Sequence, residues 1–360
     1  MRSSAAMAIL LSASSIVAQV ALPNGVTVPK ERFIVYIVSG NSEAEGQTTV
    51  RSNDTLRPLW DDTHPRLWNF NIEDNHNPGP HHTWVPAQGK NHAGTLAAYP
   101  DWLGPDMPLL KELVAQYPEE YYFGVLKIAN QGDRLRKQYL EDEIGWGEEH
   151  QWTQITDAIA AVGPNTVTWG GFFTVFCDME THDVRQGYDG ADVRLDSMAY
   201  DAMELTRRLR THTGSDLPLL FACPPGNYSN CIADGRRDVW DRLNTQLSII
   251  PTLDTRALAM PVWVEDTAYV IEHYVDPNNG HFSGPGLVRL AYETVAIIKA
   301  NGWVPPLGND TQPPTAPADL AATSVGPLSL TLSWTASTDD VGVSSYTVYR
   351  DGDSAAAMRY

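Results

Sequence analysis

The chain is poor in cysteine, in cationic side chains and in long apolar runs, and each shortage narrows what it does. Three cysteines among 360 residues do not build a disulfide scaffold. The fold must rest on a hydrophobic core, and 42% hydrophobic residues supply one. Lysine and arginine number 25 against 44 aspartates and glutamates, a formal net charge of −19. So acidic a chain repels phosphate backbones and anionic membrane surfaces, which argues against nucleic acid and membrane as partners. Beyond the first twenty residues no apolar stretch approaches the length that spans a bilayer.

What is present begins at the N-terminus. Arg2 precedes a short apolar run, Ala5 to Val17, with Ala18 and Ala21 after it. A charged start, a short apolar core and small residues read as an export signal over 1–21, and imply a secreted, periplasmic or cell-surface protein. In such a compartment Cys223 and Cys231 are placed to close the loop between them as a disulfide, the alternative being three buried thiols. Cys177, inside the apolar run 172–177, reads as a core thiol.

Short apolar runs at Phe33–Val38, Tyr122–Ala129, Phe172–Cys177, Leu217–Ala222 and Ala257–Val264 predict strands. Segments with helical spacing lie between and after them: Asp106–Gln116, Gln151–Val162, Asp196–Arg210 and Gly286–Ala300. In the last, Leu287, Leu290, Ala291, Val295 and Ile298 share one face. Alternating strands and helices imply a parallel sheet covered on both sides, with chemistry just beyond the carboxyl ends of the strands. Residues 51–104 break the rhythm with Asn, Pro, His and Gly. Trp60, Trp68 and Trp84 in that excursion suggest an ordered lid or cleft wall.

The first strand ends in Ser39-Gly40-Asn41-Ser42-Glu43-Ala44-Glu45-Gly46-Gln47. A serine on a glycine-flanked turn at a sheet edge can present its hydroxyl to a substrate and its N–H to an oxyanion. This block resembles the Gly-Gln-Ser-Asn-Met-x-Gly block of the SGNH hydrolases, in their sialic-acid O-acetylesterase and acetylxylan esterase branch. Gly40, Ser42 and Gly46 match it, while Asn41, Glu43 and Ala44 depart. Further blocks come in the same order. Gly104-Pro105-Asp106 resembles the family's Gly-Pro-Glu helix start. Leu126-Lys127-Ile128-Ala129-Asn130-Gln131-Gly132 resembles its Lys-x-Ala-x-Gly-Gly loop, with Gln131 for the first glycine. Asp178-Met179-Glu180 resembles its Gln-Gly-Glu block, with Glu180 the clean match; Asp178 stands where an amide donor is expected, and an ionised carboxylate cannot donate. His281, in the Gly-rich loop before the final helix, sits where the family places its catalytic histidine.

The resemblance covers about residues 31–303 and implies a three-layer α/β/α flavodoxin-like fold. It further implies Ser42 as nucleophile, His281 as general base, and Ser42 and Gly132 N–H groups as the oxyanion hole. Asn41 and Gln131 take substrate-facing positions. The family's aspartate three residues before the histidine is Asn278 here, so the partner of His281 is Asp276, Glu180 or Asn278 itself. The implied activity is removal of O-acetyl groups from carbohydrate, with neither metal nor cofactor. His64, His76, His81, His82 and His92 lack a ligand pattern with carboxylates. A glycan-binding protein that kept the fold without turnover is the alternative. A glycosidase would instead need two facing carboxylates, for which Glu180 and Asp276 are the pair to consider.

From 304 to 318 the chain becomes a Pro/Thr linker. Ser329–Trp334 and Ser345–Arg350 then alternate as strands and resemble the first half of a fibronectin type III module, over 319–360. Such sandwiches take about 100 residues, so this β-sandwich unit is incomplete.

Overall fold

In the computed structural model of the chain, the described residues are 9–14, 18–46, 48–49, 55–72, 81–89, 102–145, 150–176, 178–223, 226–260, 281–304, 315–325, 330–338, 345–350 and 353–359. They form two compact units, Val20–Val304 and, separately, Met1–Gln19 with Pro305–Tyr360.

The larger unit is built on a seven-stranded sheet: β1 (Phe33–Gly40), β2 (Leu67–Asn71), β3 (Thr83–Pro86), β4 (Tyr122–Ala129), β5 (Thr168–Val175), β6 (Leu219–Ala222) and β7 (Ala257–Ala259). Their order across the sheet is β7-β6-β5-β1-β4-β2-β3. All neighbours run parallel except the β2–β3 hairpin at one edge. Every residue of β1 is buried, which is why it reads as one unbroken apolar run rather than an alternation. Helix Asp106–Gln116 packs beside the final helix Gly284–Ala300, and helix Met198–Thr213 beside Arg237–Leu253. No helix among the described residues is long and apolar enough to cross a membrane.

β4 and β2 lie on one side of β1, and β5, β6 and β7 on the other. The chain therefore changes direction across the sheet at the β1–β5 boundary, where doubly wound sheets open a crevice at their carboxyl ends. Gly40, the last residue of β1, is in register with Ala129 of β4 and Val175 of β5. A Cβ there would stand 2.1 Å from the Val175 carbonyl oxygen, so only glycine fits where β1 turns out of the sheet.

Two expectations change. The described residues of the excursion 51–104 supply strand β2 and the edge strand β3, and Trp60, Trp68 and Trp84 are buried among them. Its alternating Leu67-Trp68-Asn69-Phe70-Asn71 is too short to stand out from the Asn- and Pro-rich surroundings. The expected Cys223–Cys231 bridge does not form. Cys223 is disulfide-bonded, but Cys231 is a free, buried thiol. The segment between them becomes the helix Gly226–Ala233, so Cys231 sits in its second turn rather than at the end of a loop. Cys177 lies outside the described residues.

In the smaller unit, Ala318–Val325 and Leu330–Thr335 form an antiparallel pair. Ser345–Arg350 pairs with Asp353–Arg359 on one side. On the other it pairs with Ile9–Ser14, from the stretch read as an export signal.

Candidate active site

Ser42 opens a one-turn helix, Ser42–Glu45, directly after β1. Asn41 is its N-cap, its Oδ1 accepting the Glu43 N–H at 3.3 Å, and the Asn41 N–H reaches the Val175 carbonyl at 3.2 Å. Gly46 ends the turn at φ +121°, pressed against the backbone of Gly104. The Ser42 turn is thereby fixed at both ends. Asn41, given a substrate-facing position by the resemblance, is fully buried in this cap. Gln131 is half-buried on the turn after β4.

The structure brings Ser42 and His281 together from 239 residues apart: Ser42 Oγ lies 3.1 Å from His281 Nε2. That is hydrogen-bond reach between a hydroxyl and a base. His281 is held through the two residues after it in the chain. The Phe282 side chain is fully buried, and the Phe282 N–H donates to Glu43 Oε2 at 3.1 Å. Ser283 caps the final helix, its Oγ accepting the Gly286 N–H at 3.0 Å. Asp276 and Asn278, two of the three candidate partners for the imidazole, lie outside the described residues.

Glu180, the third candidate, is buried, and its Oε1 accepts the Leu135 N–H at 2.8 Å. This contact anchors the segment just beyond Gly132. That segment has a second anchor. Gly132 takes φ +77°, and its carbonyl accepts from Arg134 at 2.6 Å. Arg134 forks onto Asp183, its Nε reaching Oδ2 and one terminal nitrogen reaching Oδ1, both at 2.7 Å, while Arg194 donates to Asp183 at 2.8 Å. Burial pushes the Asp183 carboxyl up, but the two guanidiniums outweigh it and hold it below the usual carboxylate range. Its hydrogen bond to Asp183 in turn raises Arg134. Asp183 therefore stabilises the fold fully above the ordinary carboxylate range, and that contribution drains away as pH falls through its lowered value. Asp183→Asn should cost about 2 kcal/mol at neutral pH. Urea midpoints measured from pH 7 down to pH 3 should show the gap between variant and wild type closing as the solution becomes acid.

Two buried groups beneath the site escaped sequence reasoning. The Tyr139 hydroxyl donates to the Gly40 carbonyl at 2.9 Å, and burial drives its pKa well above the ordinary tyrosine value. Lys127, in the middle of β4, is wholly buried. It donates to Asp106 at 2.9 Å and to the Glu45 carbonyl at 2.8 Å, so it ties the end of helix Ser42–Glu45 to the start of helix Asp106–Gln116. A lysine within Tyr122–Ala129, otherwise free of charge, was the available signal, because a buried ammonium needs a partner. Among the described residues no group of three or more His, Cys, Asp or Glu side chains is arranged to hold a metal ion. A cleft of about 460 Å³ opens beside Gly132, lined by Arg134, Lys137, Tyr188, Asp189 and Arg194 among others.

No family model matches the chain. Two solved structures resemble the larger part of it. A protein from Arabidopsis thaliana is 12% identical with a TM-score of 0.51, over 74% of this chain and 98% of that one. NanS is 12% identical with a TM-score of 0.52, over 76% of this chain and 98% of that one. These are likenesses of fold alone: a flavodoxin-like α/β arrangement of a mostly parallel sheet with helices. A stretch of 42 residues, 12% of this chain, is 64% identical to chitinase A1 of Niallia circulans. Another match, of 43 residues at 56% identity, is to chitinase Chi52 of Paenibacillus xylanexedens. The chain spans only 6% and 8% of these two curated relatives.

Proposed function

We propose that the protein is an exported serine esterase that removes O-acetyl groups from carbohydrates. The observation that carries this reading is the 3.1 Å approach of Ser42 Oγ to His281 Nε2 at the carboxyl end of β1. In the proposed reaction Nε2 takes the Ser42 proton as Oγ attacks the ester carbonyl. The Ser42 and Gly132 N–H groups receive the negative charge of the tetrahedral intermediate. The imidazolium returns its proton to the departing sugar oxygen, leaving acetyl-Ser42 and the free sugar hydroxyl. Water, deprotonated by the same imidazole, then attacks the acetyl group, and acetate leaves as Ser42 recovers its proton.

The carbohydrate half of the reading has three supports: the sequence resemblance to O-acetylesterases of sugars, the segment shared with chitinases, and the cleft beside Gly132. That cleft offers an exposed aromatic ring at Tyr188 and charged groups whose signs are mixed, which suits a hydroxyl-rich neutral ligand better than an ionic one. The test is to treat the purified protein with a fluorophosphonate and map the modified peptide, then to assay acetate release from acetylated xylan. Labelling at Ser42 that tracks loss of acetate release supports the reading. Labelling elsewhere, or reducing-sugar release without acetate, rejects it.

A further inference from the structure

We propose that Glu43 is a positioning residue of this site, holding His281 in reach of Ser42 through the backbone of Phe282. The inference rests on the esterase reading for its catalytic meaning and on geometry for its substance.

Consecutive residues on the nucleophile turn meet consecutive residues of the histidine loop. Ser42 Oγ faces His281 Nε2, and Glu43 Oε2 accepts the Phe282 N–H, each at 3.1 Å. One contact alone leaves the loop free to pivot about it. A second contact one residue along removes that rotation. Glu43 is 1% exposed, and Phe282 is fully buried, so the second contact is shielded from water and from screening. A carboxylate accepting from a backbone N–H is a charge-assisted hydrogen bond, stronger than an amide or hydroxyl acceptor makes.

Downstream of His281, the Phe282 ring is packed in the core and Ser283 caps the final helix. Glu43 adds a restraint at the 281–282 junction itself, from the helix that Ser42 opens. Because Asn41 caps that helix at the Glu43 N–H, the backbone that aims Ser42 also aims the carboxylate that aims His281. Nucleophile and base therefore share one rigid reference, and a shift of the turn moves them together. This also gives a task to an acidic residue directly after Ser42, whose charge, if aimed at the site, would oppose a developing oxyanion.

The experiment compares wild type, Glu43→Met and Glu43→Gln. Methionine keeps the length of the side chain and removes the acceptor. Glutamine keeps an acceptor and removes the charge. Steady-state kinetics on p-nitrophenyl acetate are measured beside hydrogen exchange at the Phe282 amide. For E43M we expect kcat to fall about 10²-fold with KM unchanged, the signature of a misplaced base. Exchange at Phe282 should accelerate in parallel, and E43Q should restore most of both. Unchanged kcat in E43M, or E43Q as slow as E43M with its Phe282 amide still protected, overturns the proposal. Should E43M fail to fold, E43Q against wild type decides: matching kcat and Phe282 protection support it, and a tenfold or greater loss of kcat rejects it. A wild type inert on every ester, with Phe282 protection still following the acceptor at position 43, sinks the esterase reading and leaves the clamp standing. Protection indifferent to position 43 sinks the clamp.

Discussion

Replacing Ser42 by alanine should lower kcat on p-nitrophenyl acetate by at least about 10⁴-fold while leaving the protein folded. The size reflects the groups that are lost. In the proposed reaction, loss of Oγ removes the acyl-enzyme and water must attack the ester directly; the proposed oxyanion donors and the cleft remain, so a small residual rate above the uncatalysed one is expected to persist. Stability should barely change, because Ser42 is a small polar residue whose helix is capped by Asn41 and tied down through Glu45. His281→Ala should cost about as much, and the double variant little more than either alone, because the two side chains act as one unit. Additive losses would show that the two groups work independently and would break the proposed mechanism. An unchanged rate in S42A would place the nucleophile elsewhere.

The second large effect concerns stability. Lys127→Met should destabilise the larger unit by about 4 kcal/mol, read as a fall in the midpoint of urea unfolding. The side chains of Lys127 and Asp106 are both 0% exposed. Removing the ammonium takes the ion-pair partner from the buried Asp106 carboxylate and a donor from the Glu45 carbonyl. The double variant Lys127→Met with Asp106→Leu should recover much of the loss, since no buried charge is then left alone. Activity provides a second reading. Lys127 grips the last residue of the nucleophile helix, so any folded fraction of K127M should also show reduced kcat. A K127M protein as stable as wild type would mean that water reaches the pair.

Much of this architecture could be read from the chain because its signals are local. Tyr122–Ala129, Asp106–Gln116 and Gln151–Val162 fall on the boundaries their periodicity predicts. Strand ends shift elsewhere, as at β5, which begins at Thr168 and includes two glycines that dilute its apolar signal. Ser42 and His281 are legible as candidates because their glycine-rich blocks resemble, in order, those of the SGNH hydrolases. Glu43, Tyr139 and Lys127 are not, because their meaning lies in partners 239, 99 and 82 residues away. No period or spacing encodes such pairings. Glu180 is legible as a conspicuous carboxylate, but its contact with a backbone N–H 45 residues off is not.

Cys231 gives the molecule a clock of its own. Burial drives its thiol up to about 11, so in the native state at neutral pH it is neither ionised nor accessible, and Cys223 is already committed to a disulfide. A thiol reagent must therefore wait for helix Gly226–Ala233 to lift before it can react there. The rate of that reaction meters how often this part of the larger unit opens while the rest of the chain stays folded.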